Sequence, residues 1–335
     1  MRSILLVERK GGAFAVRRII ERLVTRQDYF HIPHVAEDNP FEPLRSYYYD
    51  LRERVDYPGD IVEGIPIVSV GHHTYPSPIA AAQLGLSNLQ HYWDTEDESY
   101  LRDAEFIARA LVQLGRRTER GLLWSIPVDG YCHCLSSMIQ GQAASFLLRV
   151  GGLLGDDYLF DSGKLALLPL EFDIGEGGVR TTLNGRLWFE EYAIDPPRYT
   201  LNGFIVTLFG IRDAAILLKA QNYYDLWNEG IESLTINLQF FDSSGWSLYD
   251  LSVINLRYFS LKNFASPFYQ RFHIELLRVL EKLTAGNVFA EYRDRWTTGL
   301  AAGSAFYRGV FGKVIYRLLE PKRHLETGTT DSEIH

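Results

Sequence analysis

Glu190, Glu191 and Tyr192 place two carboxyl groups and a phenol side by side in the chain. Groups of this kind move protons, provided burial or a neighbouring charge brings their pKa toward the working pH. Asp195-Pro196-Pro197 follows, and Pro-Pro excludes helix before it and holds the chain extended. Thr200 is then expected as an N-cap. Leu201, Phe204, Ile205, Leu208 and Phe209 repeat at i, i+3, i+4, i+7 and i+8, one face of a helix. The carboxyls and the phenol therefore stand just before a helix N-terminus, where chemistry is often mounted. On spacing alone a surface loop with two solvated glutamates stays open as the other reading.

The elements that must position these groups are mainly helical. The periodicity predicts helices at about 78–92, 96–115, 136–150, 201–219, 222–238, 268–284 and 301–319. An amphipathic helix is also expected at 13–25, and residues 31–66, with Tyr47-Tyr48-Tyr49, read as irregular chain wrapping the body. Ile61 to Val70 reads as a short strand. Glycines 175, 177 and 178 and the Asn184-Gly185 turn predict a β-hairpin or small meander inserted at 159–190. Residues 246–261 read as a second β segment, with a helix as the alternative. The resulting fold class is mainly α, an incomplete or closed α/α barrel with an inserted β-hairpin and an irregular N-terminal segment. The expected division is 1–74, a catalytic 75–320 and a polar tail at 321–335.

Up-down alternation of 201–219, 222–238 and 268–284 puts three tyrosines on one rim. Tyr192 precedes the first of these helices. Tyr249 lies in the connection after the second, and Tyr269 opens the third behind Ser266 as N-cap and Pro267 at its first position. The convergence holds only if 246–261 is not helical.

Bulk composition bounds the partners. The 335 residues are 46% hydrophobic and 13% aromatic, enough for a large core in one or two domains. A net charge of −8 argues against a general nucleic-acid binder but leaves room for an acidic substrate in a local basic pocket. Twenty Tyr and six Trp suit sugar rings and core packing alike. Cys132 and Cys134 are too close for an easy disulfide; with His133 they hint only weakly at zinc, and buried thiols fit better. No metal is expected. The apolar run after Met1 is too short for a signal segment, and no stretch approaches the ~20 apolar residues of a membrane span. The expectation is a soluble, cytoplasmic chain.

Several short motifs recur together in order over about 70–300. They are Tyr75-Pro76 with Gln83-Leu84-Gly85-Leu86-Ser87, Met138 with Gln140-Gly141-Gln142-Ala143, Glu190-Glu191-Tyr192, Leu201-Asn202-Gly203-Phe204, Ser247-Leu248-Tyr249-Asp250-Leu251, and Tyr269 four residues before His273. The set resembles the C-terminal catalytic domain of the D-glucuronyl C5-epimerases. The resemblance implies an α/α barrel, a homodimer, an acidic polysaccharide substrate of the heparosan or heparan sulfate type, and conversion of glucuronate to iduronate within the polymer. It assigns catalytic roles to Tyr192, Tyr249 and Tyr269, with Glu191 as an acidic partner. The family carries an arginine after Tyr-Asp-Leu, where this chain has Ser252.

Epimerisation at C5 removes a proton α to a carboxylate and spreads the charge into an enediolate. It needs a base on one face, an acid on the other and a cation or hydrogen-bond donors on the carboxylate; no cofactor is required. Tyr192 and Tyr249 are read as the opposed pair, with Tyr269 as the alternative for either; core aromatics with locally bonded hydroxyls are the competing reading. Glu191 would tune a tyrosine, bind sugar hydroxyls or simply favour the helix start. Arg180, Arg198 and Arg271 are candidates for the substrate carboxylate, against plain surface ion pairs. Gln140, Gln142, Asn202 and His273 are candidates for sugar contacts, against satisfied helix termini and a core histidine. Three rivals share these residues. A polysaccharide lyase would expel the C4 substituent from the same enediolate. A glycoside hydrolase would pair Glu191 with Asp250. A binding module would keep the aromatics and exchange no hydrogen.

Overall fold

The computed structural model describes residues 45–70, 73–128, 131–301 and 303–319. The helix expected at 13–25, the part of the wrapping segment before residue 45 and the tail at 321–335 lie outside them. The described chain is mainly helical and is built from consecutive helical hairpins. Helix α1 (Pro78–Thr95) pairs with α2 (Glu98–Leu114), α3 (Ser137–Leu154) with α4 (Asp157–Leu167), and α5 (Leu201–Leu218) with α6 (Gln221–Asn237). Helix α7 (Pro267–Leu283) packs on α8 (Val288–Ala301), which leads into α9 (Gly303–Leu319).

Local chemistry sets these boundaries. Ser77, Ser136 and Ser266 each accept a backbone N–H of the first turn they precede, and Pro78 and Pro267 preset the opening φ. Glu96, Gly155 and Lys219 end α1, α3 and α5 in the left-handed conformation, and Asp97 and Asp156 cap the helices that return. Thr200 holds the N-cap position of α5, but its hydroxyl makes no capping bond and is buried without a partner among the described residues.

The first helix of each pair is the inner one. Helices α3 and α5 are buried almost all round, which marks core helices. By length and composition α5 is the described helix that is apolar enough to cross a membrane, contrary to the expectation that no stretch comes near; here most of it is enclosed by protein. Helices α3 and α5 run parallel, because their contacts advance in step. Ser137 meets Thr207, Gly141 meets Gly210, and Ser145 and Arg149 meet Asp213. A Cβ on Gly210 would lie 2.2 Å from the Gly141 carbonyl oxygen, so the glycine permits this close approach. Helices α1 and α3 also advance in step, through Gln83–Gln142 at 3.2 Å and Gly85 against the Phe146 ring. The N-termini of these inner helices therefore share one end.

Each inner helix follows a β-hairpin, at once for α1, α3 and α7 and across the 190–200 loop for α5. Strands β1 (Ile61–Val62), β2 (Ile65–Val70) and β3 (His73–Pro76) precede α1. After β4 (Arg116–Thr118) and β5 (Gly121–Leu123), β6 (Ser125–Val128) and β7 (Tyr131–Leu135) precede α3. Strands β8 (Arg180–Leu183) and β9 (Arg186–Phe189) precede α5, and β10 (Leu248–Asn255) and β11 (Ser260–Phe264) precede α7. The predicted segment 246–261 is thus a hairpin, as the convergence of the tyrosines requires. The hairpin expected over 159–190 is confined to 180–189, with Asn184 and Gly185 at positive φ in its turn. The stretch before it is α4 and two short 3-10 turns. Gly163, within α4, is a packing glycine: a Cβ there would lie 2.8 Å from Leu148. Strands β4 to β7 and helix α8 were not anticipated.

The Tyr47-Tyr48-Tyr49 segment does more than wrap the body. All three rings are buried. Tyr48 stacks on Phe209 at 4.3 Å and donates to Asp213 Oδ1 at 2.7 Å. Gln142 Nε2 donates to the Tyr47 and Tyr49 hydroxyls at 3.2 and 2.7 Å. Arg149 closes the layer with bonds of 2.7 and 2.8 Å to the Asp213 carboxylate and 2.7 Å to the Ser46 carbonyl.

Candidate active site

The cluster forms where β9 hands the chain to α5, at the shared N-terminal end of the inner helices. Ser137 N donates to the Glu190 carbonyl at 3.0 Å, which ties the strand end to the start of α3. The Glu190 carboxyl then accepts the backbone N–H groups of Arg198 and Tyr199 at 3.1 and 2.8 Å. These bonds fold residues 192–199 back on themselves and fix where α5 begins. Glu190 is fully buried, and burial pushes its pKa up to about 8 against the pull of the two N–H donors.

Glu191 faces the other way, onto the first turn of α5. A Cβ on Gly203 would lie 2.4 Å from Glu191 Cβ and 2.6 Å from Oε2, so only glycine admits this carboxyl. Asn202 Nδ2 donates to Glu191 Oε2 at 3.3 Å, while Asn202 Oδ1 is buried with no partner among the described residues. Burial raises the Glu191 pKa to about 7; hydrogen bonds from Tyr192, Asn202 and Tyr249 oppose that rise, and the charge of Asp250 adds to it.

The three tyrosines converge as the topology predicts. The Tyr192 and Tyr249 hydroxyls are 3.4 Å apart, and the Tyr249 and Tyr269 rings meet edge to face at 4.6 Å. Burial, then the negative charge of Glu191, hold both Tyr192 and Tyr249 well above the usual phenol range. The site is thus rich in protons that can be given, with a carboxyl among them that titrates near neutrality.

Behind Tyr249 lies a polar chain that sequence reasoning did not find. Asp250 accepts from Ser252 N at 3.0 Å, from the Ser252 hydroxyl, and from Asn263 Nδ2 at 2.8 Å. Asn263 Oδ1 accepts from Lys313 Nζ at 2.6 Å, and that ammonium lies 5.1 Å from the centroid of the Tyr249 ring. Lys313 is 4% exposed. A signal for it existed: Gly309, Gly312, Lys313 and Tyr316 share the helical spacing of a buried face, which puts one lysine on the inner side of α9.

The remaining candidates divide. Asn202 joins the cluster. His273 lies 6.2 Å from Tyr269, shares a 2.8 Å bond between its Nδ1 and Ser247 Oγ, and leaves Nε2 buried with no partner among the described residues. Burial, then the charge of Lys313, push its pKa down to about 3, so the ring is neutral. Gln140 is not available to a sugar. It donates to the Leu122 and Ala166 carbonyls at 2.9 Å and accepts from Trp124 N at 3.1 Å. Gln142 is likewise committed, to Tyr47, Tyr49 and Gln83. Arg180 faces Asp173 at 4.0 Å near the surface. Arg198 contributes its backbone, donating to Glu190 and accepting from Leu251 N at 2.9 Å. Arg271 is half-buried on α7. Cys134 is buried and free, and among the described residues no group of three or more His, Cys, Asp or Glu is arranged to hold a metal.

Fold and site define a helical-hairpin domain with a tyrosine–carboxyl cluster at the shared start of its inner helices. Residues 132–298, which contain all three tyrosines and Glu191, match the family described as D-glucuronyl C5-epimerase C-terminus, and this part of the chain belongs to it. The chain is 30% identical over 173 residues to the D-glucuronyl C5-epimerase of Caenorhabditis elegans, which is 48% of this chain and 28% of that protein. It is 27% identical over 146 residues to an uncharacterized protein of Methanocaldococcus jannaschii, 42% of this chain and 44% of that one. The matches thus span less than half the length of either relative. Among solved structures, the GH76A alpha-1,6-mannanase of Salegentibacter sp. HEL1_6 superposes with a TM-score of 0.51 at 12% identity, over 76% of this chain and 69% of the mannanase. At that identity the likeness is one of fold.

Proposed function

We propose that this chain is a uronate C5-epimerase that converts D-glucuronate to L-iduronate within an acidic, heparosan-like polysaccharide. The observation that carries the reading is the meeting of Tyr192, Tyr249 and Tyr269 around a carboxyl, Glu191, whose pKa burial brings to about 7. In the reaction the C5–H bond breaks and its proton passes to a base. The electron pair moves into the carboxylate as an enediolate, and C5 takes a proton from an acid on the other face. Family membership of residues 132–298 supports the same reading.

The geometry favours one assignment over the opposed Tyr192–Tyr249 pair. Opposed partners must each reach C5 from their own face, at about 3 Å, and so stand roughly 6 Å apart. Hydroxyls 3.4 Å apart lie on one side of a bound ring. Tyr192 and Tyr249 therefore act as one pair linked through Glu191, and Tyr269 is the partner opposite. Asn202 orients Glu191, and His273 offers a buried neutral ring beside Tyr269. The paired helices are read as an α/α barrel with the site at its mouth, a reading that the fold likeness to the mannanase supports. A homodimer is proposed on the family resemblance alone.

Incubation with heparosan followed by analysis of the released disaccharides tests the reading. Iduronate in intact chains supports it. An unsaturated uronate would assign the site to a lyase, and new reducing ends without a double bond to a hydrolase. No change in any uronate polymer by folded protein would overturn all three.

A further inference from the structure

The epimerase reading carries one further requirement. An enediolate and an ionised tyrosine both need a cation near the reacting atoms, and the arginine that the family resemblance expects is Ser252 here. Ser252 is also occupied, because its hydroxyl and its N–H both turn to Asp250 Oδ1. Of the three arginines singled out in the sequence, Arg180 faces Asp173, Arg198 donates its backbone N–H to Glu190, and Arg271 is half-buried on α7. A cation does reach the cluster from a different element. Lys313 enters from α9, beyond residues 132–298, with its ammonium 5.1 Å from the centroid of the Tyr249 ring.

We propose, on the epimerase reading above, that Lys313 is a positioning residue for proton transfer: held by Asn263 against the face of Tyr249, its ammonium stabilises the phenolate of that tyrosine and lets it serve as the base. A ring face already attracts a cation, and ionisation of the phenol spreads a full negative charge into the same ring, so the cation favours the ionised form. The surroundings make this necessary. Glu191 and Tyr192 face Tyr249 from the loop after β9, Asp250 follows it in β10, Tyr269 and the neutral His273 face it from α7, and Tyr316 lies beside Lys313 on α9. Burial and the Glu191 carboxyl oppose ionisation of Tyr249, and Lys313 is the cation held against its ring.

The 2.6 Å bond to Asn263 serves this role. Asn263 spends its amide N–H on Asp250 and its carbonyl on Lys313, so it spaces carboxylate and ammonium apart and leaves the ammonium directed at the ring. In the step itself the C5 proton passes to the Tyr249 oxygen and the C5 electron pair enters the substrate carboxylate; Lys313 exchanges no proton. An ammonium about 5 Å from the centre of a buried phenolate ring moves its titration midpoint by about two pH units at an effective dielectric of about 20.

The test replaces Tyr249 in the full chain with 3,5-difluorotyrosine, a more acidic phenol that titrates where the fold survives, and follows its fluorine resonance against pH. Lys313→Met should raise the midpoint by about one pH unit or more, and Lys313→Arg should bring it back toward the parent value. A folded Lys313→Met protein with an unmoved or lowered midpoint overturns the proposal; if that variant does not fold, Lys313→Gln serves the same comparison. In parallel, kcat for C5 hydrogen exchange on heparosan should fall about 10–100-fold at neutral pH in Lys313→Met, with KM changed less than about threefold. A rise in KM with kcat intact would assign Lys313 to substrate binding and overturn the proposal. A shifted midpoint with no exchange by any variant, the parent included, would sink the epimerase reading and leave the ring-face interaction standing.

Discussion

Changing Glu191 to Gln should abolish exchange and stabilise the protein, and the stabilisation should depend on pH. The folded chain holds the Glu191 carboxyl at about 7, against 4.5 for an ordinary glutamate. Between those two values the folded state keeps a proton that the unfolded state releases. Stability due to this group is therefore full below pH 4.5, falls as pH rises, and is gone above pH 7. A gap of about 2.5 pH units at about 1.4 kcal/mol per unit makes the loss about 3 kcal/mol. Glutamine keeps the shape and never ionises. Its amide N–H group can also face Asn202 Oδ1, which is buried without a partner among the described residues. Thermal and urea melts from pH 4.5 to 8.5 read the effect. The variant should match the parent at the acid end and exceed it by about 3 kcal/mol at the alkaline end, roughly 5 °C in melting temperature. Lower stability of the variant at pH 8.5, or a gap that ignores pH, would refute the argument that Glu191 is a carboxyl kept at a cost for its chemistry.

Other outcomes follow from the same contacts. Tyr269→Phe and Tyr192→Phe should each lower kcat by about 10²–10⁴-fold with KM little changed, as measured on heparosan. Gly203→Ala drives a methyl into Glu191; exchange should fall at least about tenfold and stability by about 1–3 kcal/mol, read by activity and urea titration. Asp213→Ala leaves Arg149 buried without its carboxylate and should cost about 3–5 kcal/mol in urea, while a joint apolar replacement of both partners should recover much of that.

The sequence exposed the convergence of the tyrosines because it depends on few things: helix direction, the Ser266-Pro267 start and a connection that is not helical. Each of these is a local signal. The features it concealed are set by side-chain partners. Gln140 and Gln142 occupy a motif, but only the carbonyls of Leu122 and Ala166, and the hydroxyls of Tyr47 and Tyr49, show that their amides face the core. Tyr47-Tyr48-Tyr49 reads as wrapping chain because Asp213, its main anchor, is 165 residues from Tyr48. Lys313 sits on a helix with an apolar buried face, and its contact with Tyr249 spans 64 residues between elements that periodicity alone cannot bring together. The close approach of the Tyr192 and Tyr249 hydroxyls, 3.4 Å apart, could not be read at all, since one rim permits either neighbours or opposites.

The central claim is that this cluster takes the hydrogen from C5 and returns one from solvent on the other face. Purified protein with heparosan in heavy water, followed at C5 by NMR, tests it most directly. The account predicts deuterium at C5 together with iduronate, lost when Tyr269 is changed to Phe. Iduronate without deuterium, or deuterium incorporation that survives in Tyr269→Phe at the parent rate, would contradict it.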